Sequence, residues 1–311
     1  MSWLKEERNL NPTMIFGNKG FDVHFVQAKG ILSAKNGMNL YRGCTHGCIY
    51  CDSRSECYRF AHDFEDIEIK ENAIDLLEDA LSRKRNKCMI GTGSMTDPYM
   101  PLEEKIGMTR KAMETVYRRG FGFTLITKSP RVLRDLDLLK AVHERAKCVV
   151  QMTLTTYDDA LCKILEPNVA VTSERFAALK TLRDAGIPAV VWLTPILPFI
   201  NDTAENIEGI LRYCIEAKVI GVICFGMGVT LRDGNREYFY KNLDKFFPGL
   251  KEKYIRCYGK SYSLMSAHNA RLMNLFRTRC KENGIETNTD KIFSYLSAFE
   301  DKQTSAQLTL F

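Results

Sequence analysis

From Lys87 to Phe225, short apolar runs alternate with longer amphipathic ones, and no other feature limits the possible folds as tightly. Cys88–Gly91, Phe123–Ile126, Cys148–Leu154, Ala189–Leu193 and Val219–Phe225 read as strands. Apolar residues at helical spacing predict helices from about Glu103 to Arg119, Val132 to Arg145, Glu174 to Ala185 and Ala204 to Lys218. An earlier helix, Ile69 to Lys84, carries Ile74, Leu77 and Leu81 on one face, and residues 38–42 form a short first strand. That gives six β/α units and a parallel sheet. Right-handed crossovers wind such units into a barrel or an open twisted sheet. In a barrel, the functional residues lie on the loops after the strands.

The loop after the first predicted strand is Cys44-Thr45-His46-Gly47-Cys48-Ile49-Tyr50-Cys51. Its C-x3-C-x2-C spacing can present three thiolates to one small metal centre. A structural zinc site wants four protein ligands, so zinc would have to recruit Cys57 or His62 as the fourth. A cubane [4Fe–4S] cluster held by three cysteines instead keeps one iron open for chemistry. Gly43 and Gly47 give the backbone room to wrap an ion, and Arg42 is expected to place positive charge beside an anionic cluster.

Hydrophobic residues make up 45% and charged residues 26%, ordinary for a globular chain of 311 residues. Eleven cysteines, most of them single in apolar stretches, fit a reducing cytoplasm better than a disulfide framework. No apolar run is long enough to span a membrane. The net charge of +6 leans toward a polyanionic partner. Residues 1–37 read as irregular, 38–226 as the β/α body and 227–299 as a helical cap. The cap includes a helix from Leu264 to Asn283 stopped by Gly284, and 300–311 form a polar, flexible tail.

The loop Gly91-Thr92-Gly93-Ser94-Met95-Thr96-Asp97-Pro98-Tyr99 follows the second strand and faces the same mouth as the cysteines. Its glycines permit close backbone approach, and its Ser, Thr and Asp offer donors and acceptors to a zwitterion.

The C-x3-C-x-aromatic-C pattern resembles the radical S-adenosylmethionine (SAM) superfamily. More narrowly, Tyr41-Arg42-Gly43-Cys44 through Cys51, Ser94-Met95-Thr96-Asp97, Thr127-Lys128 and Leu165-Glu166-Pro167 with Arg175 resemble the spore photoproduct lyase family, also called DNA repair photolyase-like. The resemblance covers roughly residues 35–225. It implies a partial (β/α)6 barrel of the radical SAM type, open on one side. It also implies a [4Fe–4S] cluster on Cys44, Cys48 and Cys51, SAM on the open iron, and an electron donor such as flavodoxin or ferredoxin. By position, Lys128 would pair with the SAM carboxylate, Ser94, Thr96 and Thr153 would meet its amino-acid moiety, and Tyr50 would lie along the adenine. Thr153 is equally well an inward-facing strand residue. Glu166 and Arg175 read as a structural ion pair.

Two positions depart from the lyases. Ser94 stands where they carry a cysteine hydrogen donor, and Asp52 where a tyrosine follows the last cluster cysteine. A serine O–H bond is too strong to release hydrogen to a carbon radical, so Tyr99, Cys57 or the released deoxyadenosine would supply it. The chain ends Gln307-Leu308-Thr309-Leu310-Phe311, which resembles the peptide by which bacterial polymerases and repair proteins dock on the sliding clamp. These features together lead to an enzyme of radical chemistry acting on DNA. A substrate of RNA, peptide or small metabolite, or a non-catalytic metal protein tethering repair factors, are the other readings.

Overall fold

The computed structural model describes residues 13–16 and 19–302, with side chains from Asp22 onward. Strands β1 (Thr13–Phe16) and β2 (Lys19–Val26) form an antiparallel pair, so part of the expected irregular N-terminal segment is ordered as sheet. Then come β3 (Gly37–Met38), β4 (Tyr41–Arg42) and β5 (Ile67–Lys70), followed by helix α1 (Ala73–Ser82). The body continues through β6 (Met89–Thr92), the helical turn α2 (Glu103–Ile106), α3 (Met108–Arg118), β7 (Gly122–Thr127) and α4 (Leu136–Arg145). It closes with β8 (Cys148–Thr153), α5 (Asp159–Leu165), α6 (Thr172–Asp184), β9 (Ala189–Trp192), α7 (Ala204–Glu216) and β10 (Gly221–Ile223).

Six parallel strands form the central sheet in the order β10-β9-β8-β7-β6-β3. Spatial order follows chain order without reversal, so there is no topological switch point, which separates this winding from a doubly wound sheet. β3 and β10 end the sheet without pairing to each other, leaving a partial barrel open on one side. Every residue of β8 is buried, as expected of a parallel strand covered on both faces. On the outer face Val150, Met152 and Val191 pack with Leu139, Leu179 and Ile210 of the surrounding helices.

The remaining elements are β11 (Gly228–Thr230), α8 (Asn235–Phe246), α9 (Leu250–Tyr258), β12 (Ser263–Met265), α10 (Asn269–Glu282) and α11 (Thr289–Ser297). Phe239, Leu243 and Tyr254 of this part form one cluster with Cys48, Ile49 and Tyr50, so it packs directly behind the cysteine loop. α11 turns back beneath the sheet, where Ile292 and Leu296 cover Val149, Val190 and Ile223 on its inner face. Among the described residues, no helix is long and apolar enough to cross a membrane.

Several predicted boundaries are corrected. The helix expected from Ile69 begins only at Ala73, because Ile67-Glu68-Ile69-Lys70 alternates buried and half-buried residues at strand period and pairs with β2 and β4. The helix expected over Glu103–Arg119 is interrupted at Gly107, and the one expected from Val132 starts at Leu136 after a 3-10 stretch from Pro130. Asp159–Leu165 is a helix that the sequence reading missed; Asp158 caps it by accepting from the Ala160 and Leu161 amides. The cap is not wholly helical. Ser263–Met265 pairs with β11, which delays the predicted Leu264 helix to Asn269. Residues 300–302 are docked rather than free: Glu300 pairs with Lys147 at 3.0 Å, and Lys302 Nζ donates to the His143 carbonyl at 2.7 Å. The clamp-like peptide 307–311 lies outside the described residues.

Candidate active site at the barrel mouth

The cysteine loop follows β4 and is clamped from two sides. At Gly43 the chain takes a φ of +89°, and a Cβ there would stand 2.6 Å from the Asp66 carbonyl and 2.7 Å from that of Phe64. Only glycine fits that turn without displacing backbone. The Cys44 amide donates to the Phe64 carbonyl at 3.1 Å and the Ile49 amide to the Leu165 carbonyl at 3.0 Å. Asn168 adds a side-chain bond to the Thr45 carbonyl at 2.9 Å. The loop is therefore fixed by segments more than a hundred residues downstream as well as by its own turn.

Cys44, Cys48 and Cys51, all free thiols, line one cavity with Tyr50, Ser94, Thr96, Lys128 and Thr153. The cavity opens to solvent at its mouth. Cys57 is exposed, with the Arg232 guanidinium 3.4 Å from its sulfur, and His62 bonds Glu68 at 3.0 Å; neither lines the cavity. With Cys57 and His62 both away from the cavity, the fourth protein ligand that a structural zinc would need from either is not supplied there. The loop also holds two orphaned buried atoms, Thr45 Oγ1 and His46 Nε2, and His46 lines the cavity. Such atoms mark a space designed to be filled.

Asp97 ties the mouth together. Its carboxylate accepts from the Thr127 hydroxyl at 2.7 Å, the Lys128 amide at 2.7 Å and the Tyr99 amide at 2.9 Å, and faces His46 Nδ1 at 3.5 Å. The sequence reading offered Asp97 to the ligand, but it is already spent on bracing three loops. Thr96 lines the cavity and donates its hydroxyl proton to the Gly43 carbonyl at 2.5 Å, keeping its oxygen lone pairs as acceptors. Burial holds the His46 imidazole below its ordinary pKa despite Asp97, so it is neutral at pH 7. Gly93, with φ +97°, sits where a Cβ would collide with the Ile126 carbonyl, which brings the Ser94 loop down onto β7.

Lys128 projects into the cavity from the end of β7. Among the described residues, no carboxylate lies within ion-pair distance of its ammonium. Burial would lower its pKa, but the Cys48 sulfur and Glu166 outweigh that and raise it, so it stays charged. This is the cation that the sequence reading sought in Arg42. Arg42 instead bonds the Tyr58 and Arg59 carbonyls and Glu68, outside the cavity.

Behind Tyr50 lies a polar network shut off from solvent. The phenol donates to Glu166, and Glu166 pairs with Arg175, both charged side chains being 0% exposed. Arg175 also donates to the Ala170 carbonyl at 2.8 Å and the Thr153 carbonyl at 3.0 Å. Burial would raise the Glu166 carboxyl, but Arg175 and Lys128 prevail and hold it below its ordinary value. The structural ion pair read from the sequence is thus present, and it fixes Tyr50 and Thr153 at once. Tyr99 falls outside the site. Its hydroxyl donates to Asp135 at 3.0 Å within the core, so neither candidate hydrogen donor, Tyr99 or Cys57, lines the cavity.

Residues 38–214 match the model of the Radical SAM superfamily, and the chain belongs to that superfamily. Its cofactors are a [4Fe–4S] cluster and SAM. The fold is that of spore photoproduct lyase: a mutant of that enzyme with bound AdoMet and dinucleoside spore photoproduct superimposes with a TM-score of 0.59 over 85% of this chain and 80% of that one, at 13% identity. Among proteins similar in sequence, an uncharacterised protein of Methanocaldococcus jannaschii is 31% identical over 201 residues, 64% of this chain and 68% of its own. An uncharacterised protein of Mycobacterium tuberculosis is 28% identical over 229 residues, 71% of this chain and 66% of its own length. The chain therefore spans about two thirds of the mycobacterial relative.

Proposed function

We propose that this radical SAM enzyme acts on DNA, in lyase-like repair or in modification of a base. The observation that carries the reading is the single cavity shared by three thiols, a charged lysine and the hydroxyls of Ser94 and Thr153. Cys44, Cys48 and Cys51 hold the cluster. Lys128 faces the SAM carboxylate as a point charge, Ser94, Thr96 and Thr153 take the amino-acid end, and the Tyr50 ring walls the adenine side with its phenol anchored on Glu166. Bound together, the two cofactors supply one-electron cleavage of the SAM sulfonium and, from it, hydrogen abstraction from the substrate.

DNA is favoured by the net charge of +6 and by the lyase of the same fold, whose structure holds a dinucleoside lesion. The tail Gln307, Leu308, Leu310 and Phe311 supports docking on a sliding clamp by its sequence alone. A flavodoxin or ferredoxin in the cytoplasm is the electron source this chemistry asks for. Among the described residues, the cavity holds no cysteine beyond the three of the loop, so a thiol relay through the Ser94 position is not part of the proposal. The test is anaerobic reconstitution followed by reduction with SAM, alone and with oligodeoxynucleotides. Release of 5′-deoxyadenosine that rises with DNA supports the reading. Release that responds only to RNA, peptide or metabolite removes the DNA assignment.

A further inference from the structure

We infer that Trp192, Phe225 and Phe293 form a stacking platform for the base of an unpaired or extruded nucleotide, set beside the cofactor cavity. The inference rests on the reading of DNA as substrate. Thr153 lines the cavity, so the side of β8 that carries it, with Gln151 and Val149, is the inner face of the barrel. In the parallel register Thr153 is paired with Trp192, and Trp192 with Ile223. Partners in such a pair share a face, so Trp192 stands beside Thr153, one strand along from the cavity. Phe225 lies two residues beyond the end of β10, the edge strand of the sheet, and its ring reaches Trp192. Phe293 comes from α11, which packs beneath the same face.

The three rings touch one another. Trp192 lies 6.0 Å from both Phe225 and Phe293 between centroids, tilted by 60° and 59°, and the two phenylalanines lie 6.4 Å apart at 20°. Phe225 is 62% exposed and Phe293 40%. Large aromatics open to water, grouped together one strand from a cofactor cavity, mark a contact surface. The indole is held in place: its N–H donates to Gln151 Oε1 at 2.8 Å, and the Gln151 amide donates to the Thr124 hydroxyl at 2.8 Å. A ring with its orientation already fixed loses little freedom on stacking.

Base–aromatic stacking tolerates any base and is the usual means of gripping unpaired nucleotides. An enzyme that reacts with a base must take it out of the helix, and a π surface beside the reactive centre receives it.

The chain has two tryptophans, Trp3 and Trp192, so Trp3→Phe leaves Trp192 as the sole indole reporter. The reconstituted W3F protein is titrated with a fluorescein-labelled single-stranded oligodeoxynucleotide, following anisotropy and, with unlabelled strand, indole emission. The proposal predicts saturable quenching of Trp192 at the same Kd as the anisotropy change. Phe225→Ala should then raise Kd by about 5- to 150-fold, and Phe225→Leu, which keeps apolar bulk without a π face, should recover little of it. Iron content and far-UV dichroism show that the variants are folded. If the strand binds by anisotropy while Trp192 is silent and F225A and F225L bind as before, the platform is overturned and the DNA reading stands. If no oligonucleotide binds, both fall. A peptide with an aromatic residue that quenches Trp192 where DNA does not would assign the platform to another class of substrate and overturn the proposal.

Discussion

Arg175→Met tests how the site is held. The Arg175–Glu166 pair is fully buried, and the guanidinium also satisfies the Ala170 and Thr153 carbonyls. Removing it strands a buried carboxylate, which costs about 3–5 kcal/mol. With an unfolding entropy near 2.1 cal/mol/K per residue, the chain of 311 residues should lose about 5–8 °C in Tm. The stranded charge supplies most of that cost, so the double variant Arg175→Met/Glu166→Leu should recover a large part of it, since an apolar pair of similar volume replaces a buried ion pair at little expense. Thermal and urea unfolding of the reconstituted single and double variants measure the cycle. A single-variant loss below about 1 kcal/mol, or a double variant as unstable as the two singles added, would refute the argument that this pair is what locks Tyr50 and Thr153.

Three further outcomes follow from the same geometry. Lys128→Met should weaken SAM binding by about 10- to 150-fold, the worth of a charged hydrogen bond, while leaving iron content intact; an unchanged Kd in equilibrium dialysis would remove the lysine from the carboxylate. Gly43→Ala forces a Cβ onto the Asp66 and Phe64 carbonyls, so reconstituted protein should carry clearly less than a full complement of iron. The third concerns pH. Burial and then Lys302 lower the His143 pKa, with the Lys302 ammonium 3.0 Å from its Nε2. A depressed folded pKa means a contribution present above the unfolded value near 6.5 and lost as pH falls through the folded one. Protection factors at the C-terminal docking site, corrected for the pH dependence of intrinsic exchange, should therefore fall on acidification below about pH 6.5, and His143→Gln should abolish that step.

The cysteine loop and the β/α succession were legible because both are local: the ligands lie within eight residues, and each strand and helix carries its own period. What escaped was settled by long-range register. Asp97 looked like a turn residue available to ligand, yet its partners come from the loop before it and the strand after it. Arg42 adjoins the cysteines in sequence but bonds Tyr58, Arg59 and Glu68, away from the cavity. Tyr99 sits in a loop whose neighbours reach the cavity, but its own ring turns inward to Asp135. The strand Ile67–Lys70 was lost inside a helical pattern because four residues satisfy either period. Lys128 could be singled out only through the family resemblance, since a lysine after an apolar strand is otherwise unremarkable.

The central claim is that Cys44, Cys48 and Cys51 hold a cluster whose remaining iron takes SAM. Electron paramagnetic resonance of the anaerobically reduced protein, with and without SAM, tests it most directly. The account predicts a [4Fe–4S]+ signal that changes on adding SAM and is lost in Cys48→Ala. A reduced cluster indifferent to SAM, or a signal that survives Cys48→Ala, would contradict it.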